Sequence, residues 1–234
     1  MQTERRGEWI TLARDDARSF RAYLARPAAG RGVGLVILHD MFGPNPAFLA
    51  LADAEAARGR CVLVPNLFWR SEPDGVLPYD APHDAAWARL RSFDLEAAVA
   101  GLQLPVDWLR RSAHANGKVA VLGFCFSGNL AFLAAARIDV DAVISFYALG
   151  ISAHLAEVGR IGCPVQLHYG LADEHVPRAE IDAVAQGAAA NPAIELHRYF
   201  GAGHSFFNPL RPTYAAAASE IAARRVAALL DRLA

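Results

Sequence analysis

Three residues able to do covalent chemistry together follow one another along the chain: Cys125, Asp173 and His204. Each lies just past an apolar run that reads as a strand. A thiol, a carboxylate and an imidazole in that order supply a nucleophile, an orienting acid and a base. The thiol stands in Gly123-Phe124-Cys125-Phe126-Ser127-Gly128, where the strand-like run Lys118 to Phe124 meets an Ala-rich helical stretch, Gly128 to Arg137. Small residues on both sides let a strained turn lift a nucleophile above a sheet. The free N–H groups and dipole of the helix that starts there favour a thiolate and a developing oxyanion. His204 sits in Gly201-Ala202-Gly203-His204-Ser205-Phe206, a glycine-bordered loop suited to a base that reaches across to the thiol. Asp173, within Tyr169-Gly170-Leu171-Ala172-Asp173-Glu174-His175-Val176-Pro177, would fix the imidazole tautomer and stabilise its charged form.

The elements that must carry these residues alternate in type. Trp9 to Leu12 and Phe20 to Leu24 flank Arg14-Asp15-Asp16 and read as an antiparallel hairpin, about residues 9–24. Strands are expected at Gly34 to His39, Cys61 to Pro65, Lys118 to Phe124, Ala142 to Tyr147, Pro164 to Tyr169 and Ile194 to Phe200. Helices are expected at Ala47 to Arg58, about Asp94 to Arg111, Gly128 to Arg137, Arg178 to Ala189 and Tyr214 to Leu233. Repeated strand-then-helix units require a mostly parallel, doubly wound sheet with helices on both faces, in one α/β domain spanning residues 1–234. Ligands gather beyond the carboxyl ends of such strands. The irregular stretch Trp69 to His83, with Pro73, Gly75, Pro78 and Pro82, reads as a lid or a loop over that edge.

Composition narrows the function. The 234 residues are 54% hydrophobic and 20% charged, enough apolar material for a packed core, and the formal charge of −1 leaves no footprint for polyanions. Nucleic acid is not an expected partner. No apolar run reaches membrane-helix length, and the start, Met1 to Trp9, is charged and without a secretory core, so a cytoplasmic protein without a membrane partner is expected. Cys61, Cys125 and Cys163 are widely spaced and odd in number, which indicates neither a disulfide framework nor a zinc site. His175 lies beside Asp173, but without a ligand motif around it; no metal and no cofactor are expected.

The sequence resembles the dienelactone hydrolase family of α/β-hydrolases from about Gly34 onward. The resemblance rests on His39-Asp40-Met41-Phe42-Gly43, Phe93-Asp94-Leu95-Glu96, Asn116-Gly117-Lys118-Val119, the Gly123 to Gly128 turn, Asp173 with Val176-Pro177, and Gly201 to Phe206. It implies an α/β-hydrolase fold and cleavage of a small ester or lactone. It assigns Cys125 as nucleophile, His204 as base and Asp173 as its acid, with backbone N–H groups of Phe126 and Met41 as the oxyanion hole. Three positions depart from the family pattern. Asp40 replaces a glutamate that interacts with the cysteine in the family, Ser127 replaces a glycine, and His83 and Asn208 stand where arginines hold a substrate carboxylate. Arg70, Arg89 and Arg211 are the candidate replacement cations.

Each assignment has a plainer counterpart. Cys61 and Cys163 read as inert core thiols. His39 and His168 read as neutral, hydrogen-bonded core rings, and His114, His154 and His197 as ordinary surface or core histidines. Asp40 is also a turn former ahead of Gly43-Pro44. Trp87, Tyr147 and Phe207, with Trp69, are candidates to line an apolar substrate pocket, and plain core is an equal reading for them. Two other functions compete with thiol catalysis: a hydrolase-like scaffold that binds a small molecule without turnover, and a serine esterase acting through Ser127. A monomer or small homo-oligomer is expected.

Overall fold

The computed structural model describes residues 7–14, 18–71, 75–81 and 83–234. Its strands are β1 (Glu8–Arg14), β2 (Ser19–Ala25), β3 (Gly32–Leu38), β4 (Cys61–Pro65), β5 (Ala115–Phe124), β6 (Ala142–Phe146), β7 (Val165–Gly170) and β8 (Ile194–Tyr199). They form a mostly parallel, eight-stranded sheet in the order β1-β2-β4-β3-β5-β6-β7-β8. The α-helices are α1 (Pro46–Ala57), α2 (His83–Arg91), α3 (Leu95–Gly101), α4 (Gln103–Arg111), α5 (Phe126–Arg137), α6 (Arg178–Ala188) and α7 (Ala216–Asp231), with a 3-10 helix at Ile151–Arg160. The chain divides within β5, between Val119 and Ala120, into two compact units.

In the first unit β1 pairs antiparallel with β2, β2 antiparallel with β4, and β3 parallel with β4. Asp15 and Asp16, expected in the turn between β1 and β2, lie outside the described residues. Leu35, Val36, Ile37 and Leu38 on β3 and Val62, Leu63 and Val64 on β4 have no exposed surface. Such unbroken apolar runs are what strands covered on both faces require. The single helix expected from Asp94 to Arg111 is two helices. Pro105 has no N–H to give the Gly101 carbonyl and its ring crowds that carbonyl, so α3 ends at Gly101 and α4 begins at Gln103. Within the irregular stretch, Pro73 and Pro82 lie outside the described residues, while Leu77 N–H donates to the Phe42 carbonyl at 2.8 Å.

The second unit carries the rest of β5 and the parallel strands β6, β7 and β8. Their register aligns Phe124, Phe146, His168 and His197 in one row. The first three rings stack with centroids 5.2 and 4.5 Å apart, and His197 lies tilted against His168 at 5.0 Å. Helix α5 is buried at every position from Phe126 to Ala135, as its all-round apolar sequence demands. The 3-10 helix, which periodicity does not reveal, is held by Glu180 of α6, whose carboxylate accepts from Gly150 N–H at 2.9 Å.

Candidate active site

β5 ends in a turn of one residue, because α5 starts immediately after Cys125. That residue has φ 59° and ψ −127°, a backbone conformation that costs a side-chain-bearing residue on the order of 1–3 kcal/mol. Among the described residues only Cys125, Tyr147 and Ser205 combine a side chain with positive φ, and all three follow strands of the second unit. The glycines make the turn possible. A Cβ on Gly123 would run into the Ser127 carbonyl, and one on Gly128 would stand 2.7 Å from both Ala148 Cβ and Ser145 Oγ. Cys125 N–H donates to the Phe146 carbonyl at 3.0 Å, and the thiol keeps a 5% exposed residue. Ser127 has no exposed surface. Its Oγ accepts from Phe124 N–H at 3.0 Å and donates to the Phe124 carbonyl at 2.9 Å, so its hydroxyl ties the elbow together.

Asp173 and His204 come from the loops after β7 and β8. The two loops are laced by backbone: Leu171 N–H donates to the Tyr199 carbonyl and Ala172 N–H to the Ala202 carbonyl, both at 2.9 Å. Gly170 permits this approach, since a Cβ there would overlap the Ala202 carbonyl. The Asp173 side chain is fully buried and its oxygens are all engaged. Oδ1 accepts from His175 N–H at 2.8 Å and Val176 N–H at 3.0 Å, and Oδ2 accepts from His204 Nδ1 at 2.9 Å. With Nδ1 committed to Asp173, Nε2 is the nitrogen left for Cys125. Burial works against charge on this ring, but the charge of Cys125 and hydrogen bonds to Asp173 and Cys125 outweigh it, raising the His204 pKa to about 10.

Other predicted residues gather in the same unit. The Tyr147 ring is buried and lies 5.0 Å from that of His204. Half-buried Phe207 packs 4.4 Å from Phe146 and 6.0 Å from Phe124. Asn208 is buried and its Oδ1 accepts from Leu210 N–H at 3.0 Å, a turn-forming bond. His175, read from sequence only as a metal temptation, sets its ring edge-on against His204 at 4.8 Å. Burial raises the pKa of Cys61 above its ordinary value and that of Cys163 to about 11.

Asp40, Met41, His83 and Trp87 belong to the first unit. Asp40 is buried at the end of β3; its Oδ1 accepts from Phe42 N–H at 2.9 Å and its Oδ2 from the Tyr79 hydroxyl at 3.2 Å. Tyr79 escaped the sequence reading because it lies in the irregular stretch, where no periodicity marks a contact. Met41 is buried in the same turn. His83 opens α2 and its side chain lies outside the described residues, while Trp87 on that helix is 36% exposed. Of the candidate cations here, Arg89 donates to the Gly75 carbonyl at 2.9 Å and Arg70 stacks on Trp69. His39 donates from Nδ1 to the Asp40 carbonyl at 2.7 Å and accepts at Nε2 from Leu67 N–H at 3.0 Å, the bonding of a neutral ring.

A mostly parallel sheet in this strand order, with a one-residue turn from β5 into α5, defines an α/β-hydrolase. A dienelactone hydrolase-like promiscuous phosphotriesterase from metagenomic libraries superposes with a TM-score of 0.80 at 21% identity, covering 97% of this chain and 98% of the other. The carboxymethylenebutenolidase of Pseudomonas putida is 31% identical over 220 residues, 93% of each chain. Carboxymethylenebutenolidase 1 of Cupriavidus pinatubonensis is 32% identical over 216 residues, 92% of each. The profile of the dienelactone hydrolase family matches residues 20–234. The chain belongs to the dienelactone hydrolase family, and it is a hydrolase.

Proposed function

We propose that the protein hydrolyses a small ester or lactone through a thioester on Cys125, with His204 as base and Asp173 as its orienting acid. The observation that carries this reading is the His204 ring, which is hydrogen-bonded to a fully buried Asp173 carboxylate on one side and to Cys125 on the other. The relatives named carboxymethylenebutenolidase support the lactone class. In the first step His204 Nε2 takes the proton of Cys125, the sulfur attacks the carbonyl carbon and the C=O electron pair moves onto oxygen. The backbone N–H of Phe126, first residue of α5, is a proposed donor to that oxyanion, worth about 3 to 4 kcal/mol. Collapse breaks the C–O bond, and the leaving alkoxide or enolate takes the proton from His204 Nε2. Water then attacks the thioester carbon, giving its proton to His204, and the acid product leaves as the thiolate is restored. Asp40, through its contact with Tyr79, shapes the turn that carries Met41. Tyr147 and Phe207 are the proposed apolar wall, with Asn208 a further substrate-side candidate. No cofactor takes part in this scheme.

The serine alternative is disfavoured because the Ser127 hydroxyl is buried and spent on Phe124. The binding-protein alternative leaves the strain at Cys125 without a use. A panel of aryl esters and lactones that includes cis- and trans-dienelactone tests activity and anion preference together. Iodoacetamide is expected to label Cys125 faster than Cys61 or Cys163, with activity lost in step. Uniform slow labelling with no turnover would leave a binding protein.

A further inference from the structure

The loop that carries His204 has little of its own to hold it. Phe200 is 95% exposed, Gly201 and Gly203 have no side chain, and Ala202 offers a methyl group. Besides the bonds of Ala202 and His204 to the acid loop, the loop is held at its two ends, where the buried rings of Tyr199 and Phe206 pack with centroids 5.0 Å apart. Tyr199 also reaches the acid loop, since its carbonyl accepts from Leu171 N–H at 2.9 Å as well as from Ala202 N–H at 3.4 Å.

The Tyr199 hydroxyl is itself part of a closed hydrogen-bond circuit whose direction is set by chemistry. Arginine is only a donor, so Arg225 Nη1 of α7 gives its proton to the Tyr199 oxygen at 3.0 Å. Gln166 presents an acceptor oxygen to Nε2 of the neutral His168, so Nδ1 accepts, and the Tyr199 proton goes to it at 2.8 Å. His168 then carries its hydrogen on Nε2, which faces Gln166 Oε1 at 3.4 Å, and the Gln166 amide returns to the Arg225 carbonyl at 3.4 Å. Each member has one role, and the circuit joins β7, β8 and α7. His168 has no exposed surface, and its burial, with His197 and Arg225 acting the same way, keeps the ring neutral.

We infer that Tyr199 is a positioning residue: its hydroxyl, clamped between Arg225 and His168, sets where the His204 loop stands relative to Cys125. This rests on the thiol reading above. Cys125→Ala separates the two, because activity that survives it ends both, whereas activity lost in it leaves the positioning role to be judged on its own. Tyr199→Phe keeps the ring against Phe206 and removes the clamp. The expected result is kcat lowered about tenfold with KM within about twofold, and iodoacetamide labelling of Cys125 slowed by a similar factor. Should Tyr199→Phe fail to fold, Arg225→Met withdraws the donor from α7 and is expected to give the same signature at about threefold. A folded variant with unchanged kcat and labelling rate, or one whose loss of activity only follows its unfolded fraction, overturns the inference.

Discussion

His39 at the end of β3, fully buried, and His204 after β8, largely buried, are both imidazoles at the carboxyl ends of strands, yet they sit in opposite charge states. His39 meets a carbonyl on one nitrogen and a backbone N–H on the other. Burial lowers its pKa to about 3, a backbone bond to Asp40 opposes this and Arg89 reinforces it. His204 meets a carboxylate and a thiol, and its pKa rises to about 10 in spite of burial. Burial alone therefore does not decide the state of a ring; the acceptors around it do. A lone pair pointed at an N–H forbids a second proton, while hydrogen-bond acceptors on both ring nitrogens favour one.

Removing the sulfur should break the contrast most severely. Cys125→Ala is expected to lower turnover of p-nitrophenyl acetate by at least about 10⁴-fold. It should also bring the His204 pKa down from about 10, read from the ring proton shifts in an NMR titration, with His39 unmoved. A variant that keeps its turnover would discard the assignment.

Asp173→Asn keeps the shape of the acid and removes its charge. A loss of about 10³-fold in kcat is expected, with the His204 pKa again lower. The measurement is a pH profile of kcat/KM beside the same titration.

The His39 side of the comparison answers to acid. A ring whose folded pKa lies below its unfolded 6.5 contributes stability that is complete above pH 6.5 and is lost as pH falls toward about 3. His168, lowered by burial first and then by His197 and Arg225, acts in the same direction. For His39 alone the full loss is about 5 kcal/mol. Urea unfolding followed from pH 7 to pH 4 should show falling stability, and His39→Asn should flatten that slope. An unchanged slope would mean that His39 is not kept neutral.

The smallest effect is expected at Ser127. Ser127→Ala removes the hydroxyl that joins both backbone groups of Phe124, costing about 1–3 kcal/mol of stability while activity stays within about threefold. Abolished turnover in a folded Ser127→Ala protein would revive the serine esterase.

Much of this was legible in the residues themselves. The parallel sheet follows from apolar runs alternating with helical periodicity, and the elbow from Gly123 and Gly128, each of which leaves no room for a Cβ. The neutral state of His39 follows from its place at the end of a buried strand. Helices α2 and the 3-10 segment, and the break between α3 and α4, were harder. A short helix with a mixed face leaves a weak pattern, and Pro105 breaks a helix whose apolar spacing continues through it. Tyr79 and His175 could be listed from the chain but not placed, because their partners, Asp40 and His204, lie well away in sequence.

Sequence by itself determined the kinds of group, their order, and the turns that hold them, since strand, helix and elbow are governed by sterics among residues close along the chain. Only the tertiary structure decided that His204 meets Asp173 on one nitrogen, and that Tyr199 joins the His204 loop to α7. Those outcomes depend on which donors and acceptors meet across strands, and hydrogen bonds and charges act through distance in space, which spacing along the chain does not encode.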